Sequence, residues 1–401
     1  MCARLFCHKV SDDFITLFRN RIKVGDTNSF RICIIIAKWI WVSLLQKKVF
    51  DGSVDYIQIM DEEGNIDQSL FPKDLSDDTI TEMYKKMSLT RAVDAKMLSL
   101  QRQGRAVTYA PLVGEEATQI GSAMAMRKDD IFVPSFRQHG VYLARGMDPS
   151  IFFLYWRGYE EGNAIPRQVN GTPVIVPVAT QMPHASGIAF AQKYKEKNVA
   201  VVSYVGDGGT SEGDFYEAIN FAGVFKLPLV SIIENNQWAI SVPRKDQSAS
   251  ETLAQKAFAA GVKGIQVDGN DVIAVYKAVQ DAITASKTGP TLIECITYRM
   301  SLHTTADDPT KYRSDEEVNA WKPKDPILRV RKYLNKKNLW DDTKEEALAA
   351  EHQKFIDDAV EKAEAFKPDP RTMFEHVYSF MPDVLKEELK ESESSNFWKG
   401  D

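Results

Sequence analysis

The clearest pattern of apolar and polar positions lies at residues 199–240. An almost continuous apolar run at 199–205 predicts a strand that is buried on both faces. A glycine-rich turn follows, and apolar residues at helical spacing over 215–225 predict a helix with one buried side. A second apolar run, 227–233, ends in the polar cluster 234–237. The stretch therefore predicts a strand, a helix and a second strand, with polar residues after each strand.

The same alternation continues towards the C-terminus. Residues 252–260 and 271–287 have helical spacing, whereas 264–267 and 291–298 are short apolar runs typical of strands. Strands that alternate with helices favour a parallel, doubly wound sheet. The predicted fold class is therefore α/β, with a doubly wound parallel sheet flanked by helices and with helical extensions at the N- and C-termini.

The chain divides into four predicted segments. Residues 76–330 contain the alternating strands and helices and form the predicted α/β domain, whose first helix is capped by Ser76. Residues 53–75 form an N-terminal arm, 331–401 a charge-rich helical tail, and 1–52 a basic extension. The composition, with 44% hydrophobic and 26% charged residues, is ordinary for a soluble chain.

Charge is distributed unevenly along the sequence. The net charge is −6, but residues 1–50 carry nine Lys or Arg against three Asp, so the remainder is strongly acidic. An acidic body argues against nucleic acid as a partner. The four cysteines show neither a metal-binding spacing nor a disulfide framework, which favours a reducing compartment.

The polar clusters that follow the two strands have the residue types of a phosphate site. Gly206, Gly208 and Gly209 allow backbone N–H groups to approach an anion, and the following helix N-terminus favours negative charge. Asp207 and Asn236 add side-chain oxygens of the kind that bind magnesium or calcium. Because ligands of open α/β sheets lie at the carboxyl ends of the strands, we predict a phosphate and a divalent cation at this edge.

Other interpretations of the glycine turn fit less well. A dinucleotide fingerprint would explain Glu234 as a ribose-binding acid, but it needs a third glycine where Ser211 stands. A P-loop fails because no Gly-Lys-Ser or Gly-Lys-Thr follows the turn. A plain sharp turn explains the glycines about equally well on their own, but it explains less once Asn235 and Asn236 are included.

The spacing of these motifs resembles that of thiamine diphosphate enzymes, because GDG is followed by 26 residues and then by Asn235 and Asn236. Over residues 56–382 the chain resembles the alpha subunit of the decarboxylating first component of 2-oxo acid dehydrogenase complexes. The branched-chain type is closest and the pyruvate type is next. The phrases that carry the resemblance include GEEATQIGSAMAM at 114–126, FRQHGVYLARG at 136–146, VATQMPHASGIAFA at 178–191, GDGGTSEGD at 206–214, NNQWAIS at 235–241 and TYRMSLHTTADDPTKYRS at 297–314.

The resemblance implies thiamine diphosphate and Mg²⁺ as cofactors. The side chains of Asp207 and Asn236, with the backbone carbonyl of Trp238, are expected to bind the cation that bridges to the diphosphate. The same resemblance places at the cofactor the residues Gly206, Asp207, Gly208, Gly209, Asn236 and Ile240.

Further site residues follow from the resemblance. Arg137 is expected to grip the diphosphate, with Phe136 beside the cofactor in place of the usual tyrosine. Backbone groups of Val176 and Val178 are expected to contact the aminopyrimidine ring, and the Val178 side chain to hold the cofactor bent. His303 is the expected catalytic residue, which contacts the diphosphate and serves acyl transfer to lipoyl-lysine.

The activity that the resemblance implies is oxidative decarboxylation of 2-oxo acids, with branched-chain acids such as 3-methyl-2-oxobutanoate expected first, and reductive acylation of lipoyl-lysine. In this family a beta subunit supplies the glutamate that activates the aminopyrimidine, and residues 330–401 are too few for such a domain. The chain is therefore expected to form half a site in an α2β2 heterotetramer that docks on a lipoyl-bearing acyltransferase core. A pyruvate or acetoin dehydrogenase alpha subunit is the alternative, and a non-catalytic scaffold subunit is an alternative of a different class.

Residues 1–52 do not match the family. Their apolar run 32–45 is short for a membrane span, and no membrane partner is expected. The Arg and Lys content of the segment is typical of a targeting presequence, which would place the protein in the mitochondrial matrix. The other interpretation is that translation starts near Val54 or Met60. We expect a cytoplasmic location, with the matrix as the alternative.

Overall fold

The computed structural model of the protein describes residues 48–369 and 371–395. Within these ranges, one sheet has six strands, all parallel, in the order β1-β7-β8-β4-β3-β2, and a separate antiparallel pair joins β5 to β6. The strands are β1 (Tyr56–Ile57), β2 (Ile131–Val133), β3 (Val201–Gly206), β4 (Leu229–Asn235), β5 (Trp238–Ala239), β6 (Val242–Pro243), β7 (Lys263–Asp268) and β8 (Thr291–Ile296).

Helices connect the strands and extend the chain after the sheet. The α-helices are α1 (Asp77–Arg102), α2 (Glu116–Ala125), α3 (His139–Ala144), α4 (Pro149–Trp156), α5 (Gln181–Tyr194), α6 (Gly213–Phe225), α7 (Arg244–Gln247), α8 (Val272–Ala285), α9 (Asp315–Trp321), α10 (Pro326–Lys336), α11 (Asp342–Glu364), α12 (Thr372–Glu375) and α13 (Asp383–Ser394). Short 3-10 helices lie at Glu160–Asn163, Arg167–Val169, Gly208–Ser211, Ala254–Ala260, Pro309–Lys311 and Lys322–Lys324.

The central strands are buried on both faces. Along β3, Val202 and Tyr204 belong to the core shared with α1, α2 and α8, whereas Val201 and Val205 face the smaller cores beneath α5 and α6. Successive residues of a strand point to opposite faces, so each face needs its own layer of helices. This arrangement confirms the predicted α/β class with a parallel sheet flanked by helices.

The sequence pattern did not predict the short strands. The predicted arm contributes β1, which pairs with β7 at one edge of the sheet. At the other edge β2 pairs with β3. The β5–β6 hairpin follows directly after the predicted polar cluster. Runs of two or three residues are too short to show an alternation of apolar and polar positions, so no periodicity could have predicted them.

The predicted basic extension falls almost wholly outside the described residues. The chain divides by its internal contacts into Met1–Ser53 and Val54–Asp401, and the sheet belongs to the second unit. Within 48–369 and 371–395, no helix has the length and apolarity needed to cross a bilayer. The four-segment division, the origin of residues 1–52 and the location of the protein stay predictions.

One buried carboxylate connects the arm to the sheet. Asp271 caps α8, because its Oδ1 accepts from the N–H groups of Ile273 at 3.0 Å and Ala274 at 3.1 Å. Its Oδ2 accepts from the N–H groups of Ile59 at 2.7 Å and Met60 at 2.6 Å. Asp271 is fully buried, so water could not easily accept these four hydrogen bonds if the carboxylate were removed.

Replacing Asp271 should therefore destabilise the fold strongly. We expect Asp271→Ala to lower the free energy of unfolding by about 3 kcal/mol, because a helix cap is lost and two buried N–H groups lose their acceptor. Asp271→Asn keeps one acceptor oxygen and should cost less. Denaturant unfolding followed by circular dichroism measures both. Asp281→Ala, at an exposed carboxylate of the same helix that pairs with Lys277, is the control and should cost about 0.5 kcal/mol or less. Equal effects at positions 271 and 281 would contradict this account.

Candidate active site

The register of the sheet brings the two predicted polar clusters together. In the parallel pair β3–β4, Gly206 lies opposite Glu234. Asp207 directly follows the end of β3, and Asn236 directly follows the end of β4. Because these strands are hydrogen-bonded neighbours, both residues lie at the carboxyl edge of the sheet. The predicted strand-helix-strand unit is confirmed.

A cavity of about 580 Å³ opens at this edge. The structure brings every sequence-predicted site residue to its wall, although these residues come from segments far apart in the chain. The cofactor-binding roles assigned to them stay predictions. The predicted residues that line the cavity are Phe136, Arg137, Val176, Val178, Gly206, Asp207, Gly208, Gly209, Asn236, Trp238, Ile240 and His303.

Two glycines in the cavity wall are required by close packing. A Cβ on Gly208 would lie 2.7 Å from the Cβ of Ala239, and a Cβ on Gly209 would lie 2.6 Å from Cγ2 of Val205. Any side chain here would push apart the β5 segment and the end of β3. The glycine turn therefore keeps its backbone against the cavity, which is the condition for N–H groups to approach an anion.

Asp207 is a buried carboxylate without a counterion. Its side chain is 1% exposed, and its Oδ2 has no hydrogen-bond partner among the described residues. Burial raises the pKa of Asp207 to about 6. A divalent cation beside this carboxylate would satisfy the free oxygen, so the residue fits the role of a metal ligand.

The protein does not enclose such a cation by itself. The described residues contain no group of three or more His, Cys, Asp or Glu side chains that could hold a metal. Mg²⁺ is commonly held through one or two protein carboxylates together with phosphate oxygens and water. A donor set of one carboxylate, one amide and one backbone carbonyl fits Mg²⁺ that is shared with a diphosphate.

The side-chain amide of Asn236 has a fixed orientation. Its Nδ2 donates to Oε1 of Glu115 at 2.8 Å, and its Oδ1 accepts from the N–H of Trp238 at 3.2 Å. The carbonyl of Trp238, the third predicted ligand, accepts from Nη1 of Arg299 at 3.1 Å. A carbonyl oxygen has two lone pairs, so one of them is still available to a cation.

Two guanidinium groups hold the imidazole of His303. Nη2 of Arg137 lies 3.1 Å and Nη1 of Arg299 lies 3.2 Å from Nδ1 of His303. Because a guanidinium only donates, Nδ1 must be the accepting nitrogen, and the proton of the neutral ring is on Nε2. Burial and the two positive charges lower the pKa of His303 to about 3.

The segment that carries His303 folds over the cavity through its own polar contacts. The carboxylate of Asp307 accepts from the N–H of His303 at 2.9 Å and also from the hydroxyl of Tyr312. Arg299 is fully buried and donates to the carbonyl of Ile240 at 2.7 Å. The sequence predicted a role for His303 in this segment but none for Arg299, Asp307 or Tyr312.

Two further carboxylates lie in the cavity wall that the sequence did not assign to the site, although Glu234 was weighed there as a ribose-binding acid. Glu115 and Glu234 are each 1% exposed and both line the cavity. Burial raises the pKa of both groups, to about 7 for Glu115 and to about 8 for Glu234. Glu234 accepts a hydrogen bond from Gln138, and its Oε1 has no partner among the described residues. In the sequence, Glu115 lies within a phrase that carries the resemblance and Glu234 at the end of a predicted strand, and neither position by itself indicates a buried carboxylate.

Apolar side chains surround the open part of the cavity. The ring of Phe136 stands edge-on to that of His303, with 6.0 Å between the ring centres. Val176 and Val178 are each 53% exposed, and Ile240 is 58% exposed. A cavity mouth with exposed aliphatic side chains is typical of a surface that another molecule covers.

Comparisons with known proteins agree with this geometry. The family model described as dehydrogenase E1 component matches residues 84–371. The chain is 42% identical over 347 residues to the pyruvate dehydrogenase E1 component subunit alpha of Staphylococcus aureus, which covers 85% of this chain and 94% of that protein. The protein of the same name from Staphylococcus epidermidis is 41% identical over the same share of both chains. The chain therefore belongs to the dehydrogenase E1 component family, as an alpha subunit of a 2-oxo acid dehydrogenase.

This membership confirms the resemblance found in the sequence. The family depends on thiamine diphosphate and acts on 2-oxo acids, and its alpha subunits work with a beta subunit and a complex core. The residues that the sequence predicts for the diphosphate and its cation line the cavity at the carboxyl edge of β3 and β4, and their roles stay predictions.

The arginine contacts predict an unusual titration of His303. We expect its imidazole to stay neutral, with the proton on Nε2, from pH 8 to about pH 4. Because the pKa in the folded protein is below the ordinary 6.5, the unfolded chain binds more protons, and stability falls as the pH drops below that value. Nitrogen-15 NMR of labelled histidine measures the tautomer, with His303→Asn to assign the signal. A titration midpoint near 6.5 would show that the arginines do not hold the ring.

Proposed function

We propose that this chain is the alpha subunit of an enzyme that decarboxylates pyruvate and passes the acetyl group to lipoyl-lysine. The observation that carries the proposal is the buried carboxylate of Asp207, whose Oδ2 has no hydrogen-bond partner among the described residues and which lines the same cavity as Asn236. A divalent cation bound to a diphosphate would supply the missing partner of this carboxylate. Mg²⁺ is therefore the proposed metal.

The proposed substrate differs from the branched-chain acid expected first from the sequence. The relatives reported above are named pyruvate dehydrogenase subunits, and they support the pyruvate alternative. A preference between acids depends on a few side chains around the acyl group. Overall likeness of phrases along the chain reports the family more than that preference.

Different residues of this chain would bind the cation and the negatively charged diphosphate. Asp207 and Asn236 would bind the cation with the carbonyl of Trp238, and Arg137 would bind diphosphate oxygen. His303 presents Nε2–H and can donate a hydrogen bond without carrying a charge. When bound, thiamine diphosphate supplies the electron sink that decarboxylation of a 2-oxo acid needs.

A beta subunit would complete the site. The cavity mouth leaves Val176, Val178 and Ile240 about half exposed, so a partner that covered them would also exclude water from the reacting groups. We infer an α2β2 heterotetramer that docks on a lipoyl-bearing acyltransferase core, in the cytoplasm. The exposed apolar side chains around α12 and α13 give a partner more surface to cover, and they are Met373, Val377, Tyr378, Phe380 and Val384.

Removing the charge of Asp207 should weaken cofactor binding without lowering the stability of the cofactor-free enzyme. We expect Asp207→Asn to weaken thiamine diphosphate binding in Mg²⁺ by about 100-fold or more, because a cation ligand is lost. The same change should leave the melting temperature of the cofactor-free enzyme equal or higher, since it removes an unpaired buried charge. Calorimetry on the enzyme co-expressed with its beta subunit measures both. Asp246→Asn, at an exposed carboxylate of α7, is the control. Unchanged binding in Asp207→Asn would refute the proposed role.

Substrate choice is tested by turnover. With the co-expressed beta subunit and a lipoyl acceptor, we expect kcat/KM for pyruvate to exceed that for 3-methyl-2-oxobutanoate by at least about tenfold, the lower end of what one methylene group is worth in a hydrophobic pocket. The reverse order would favour a branched-chain 2-oxo acid dehydrogenase. Turnover of acetoin alone would indicate an acetoin dehydrogenase. A scaffold subunit would bind no thiamine diphosphate at all.

A further inference from the structure

Glu115 occupies an unusual position for a carboxylate at a helix start. It is the N-cap residue of α2, but its side chain makes no capping hydrogen bond. Aspartate at this position commonly accepts from the first N–H groups of the helix, and negative charge is favoured at a helix N-terminus. Here the carboxylate turns into the cavity instead, where it is 1% exposed. A local structural role at the helix end therefore does not account for it.

The contacts of Glu115 are with two residues proposed to bind the cofactor. Its Oε1 accepts from Nδ2 of Asn236 at 2.8 Å, and the same oxygen lies 3.8 Å from Nε of Arg137. The first residue is the proposed cation ligand after β4, and the second is the proposed diphosphate ligand. One carboxylate thus lies between the cation side and the anion side of the site.

The contact with Asn236 decides which end of its amide is available. An asparagine can present either oxygen or NH2, and only the oxygen binds a cation. A carboxylate acceptor fixes the NH2 end on Glu115, so the oxygen must occupy the other position, where it accepts from Trp238 N–H at 3.2 Å. If Glu115 were withdrawn, the amide could rotate and present NH2 to the cation.

We propose that Glu115 is a positioning residue, which orients the Asn236 amide so that its oxygen binds the divalent cation and which also holds Arg137 in place. This inference rests on the proposed function, because it assumes that Asn236 binds the cation. It predicts that the hydrogen-bonding reach of residue 115 matters more than its charge. Residues that contact metal ligands commonly change metal affinity by about 10–100-fold when they are replaced.

Glu234 provides a matched comparison. It lines the same cavity and is equally buried, but its carboxylate accepts from Gln138. Replacement by aspartate shortens either side chain by one methylene, and replacement by glutamine keeps its length and removes the ionisable group. Among the described residues only Glu115 accepts a side-chain hydrogen bond from the amide of Asn236, so only its replacement removes that contact.

The experiment compares Glu115→Asp and Glu115→Gln with Glu234→Asp and Glu234→Gln, all co-expressed with the beta subunit. The readout is the Mg²⁺ concentration that half-saturates thiamine diphosphate binding, followed by quenching of tryptophan fluorescence, because Trp156 and Trp238 line the cavity. No turnover is needed. Aspartate keeps the charge but is too short to reach Asn236, whereas glutamine keeps the length and an acceptor oxygen.

We expect Glu115→Asp to raise the half-saturating Mg²⁺ concentration by about 10–100-fold and Glu115→Gln to raise it by about threefold or less. Both Glu234 variants should stay within about threefold of wild type. A larger effect of Glu115→Gln than of Glu115→Asp would show that charge alone matters and would overturn the inference. Equal effects at 115 and 234 would do the same. If the wild-type enzyme bound thiamine diphosphate without any need for Mg²⁺, the proposed function itself would be wrong.

Discussion

The candidate site at the carboxyl edge of the sheet depends on a buried carboxylate with one oxygen that has no hydrogen-bond partner among the described residues. Asp207 directly follows β3 and Asn236 directly follows the neighbouring strand β4, so both line the same cavity. Burying an unpaired charge costs several kcal/mol, and a protein sustains that cost only where something else gains from it. The gain that we propose is a preformed site for a divalent cation. The neighbouring Gly208 and Gly209 pack closely against Ala239 and Val205 and leave no room for a side chain in the turn.

Positively charged side chains lie at or near the same cavity as that carboxylate. Arg137 lines the cavity, and both Arg137 and the buried Arg299 contact Nδ1 of His303. A cation bound to a diphosphate would suit these charges, because the metal would bind the carboxylate of Asp207 and a phosphate oxygen would bind Arg137. The pairing of arginines also fixes the histidine as a neutral donor. One of these arginines, Arg299, lies four residues before His303, whereas Arg137 comes from a distant part of the chain.

The sequence predicted the scaffold and much of the site, for physical reasons that differ. The strands at β3 and β4 were predictable because they are buried on both faces and bounded by turns. Asp207 and Asn236 could be placed together because parallel strands end at one edge. Glu115 and Arg299 could not, since their partners lie 121 and 61 positions away and no local pattern marks such contacts. The expected branched-chain preference rested on general likeness, whereas substrate choice depends on a few contacts around the acyl group.

The central claim is that Asp207 and Asn236 bind one cation that also binds the diphosphate. The most direct measurement is a crystal structure of the enzyme, assembled with its beta subunit, with thiamine diphosphate and Mn²⁺ in place of Mg²⁺. The anomalous signal of the metal locates it independently of the protein coordinates. The account predicts one metal within about 2.5 Å of a carboxylate oxygen of Asp207 and of the amide oxygen of Asn236, in contact with the diphosphate. A metal that touches only one of these side chains, or neither, would contradict it.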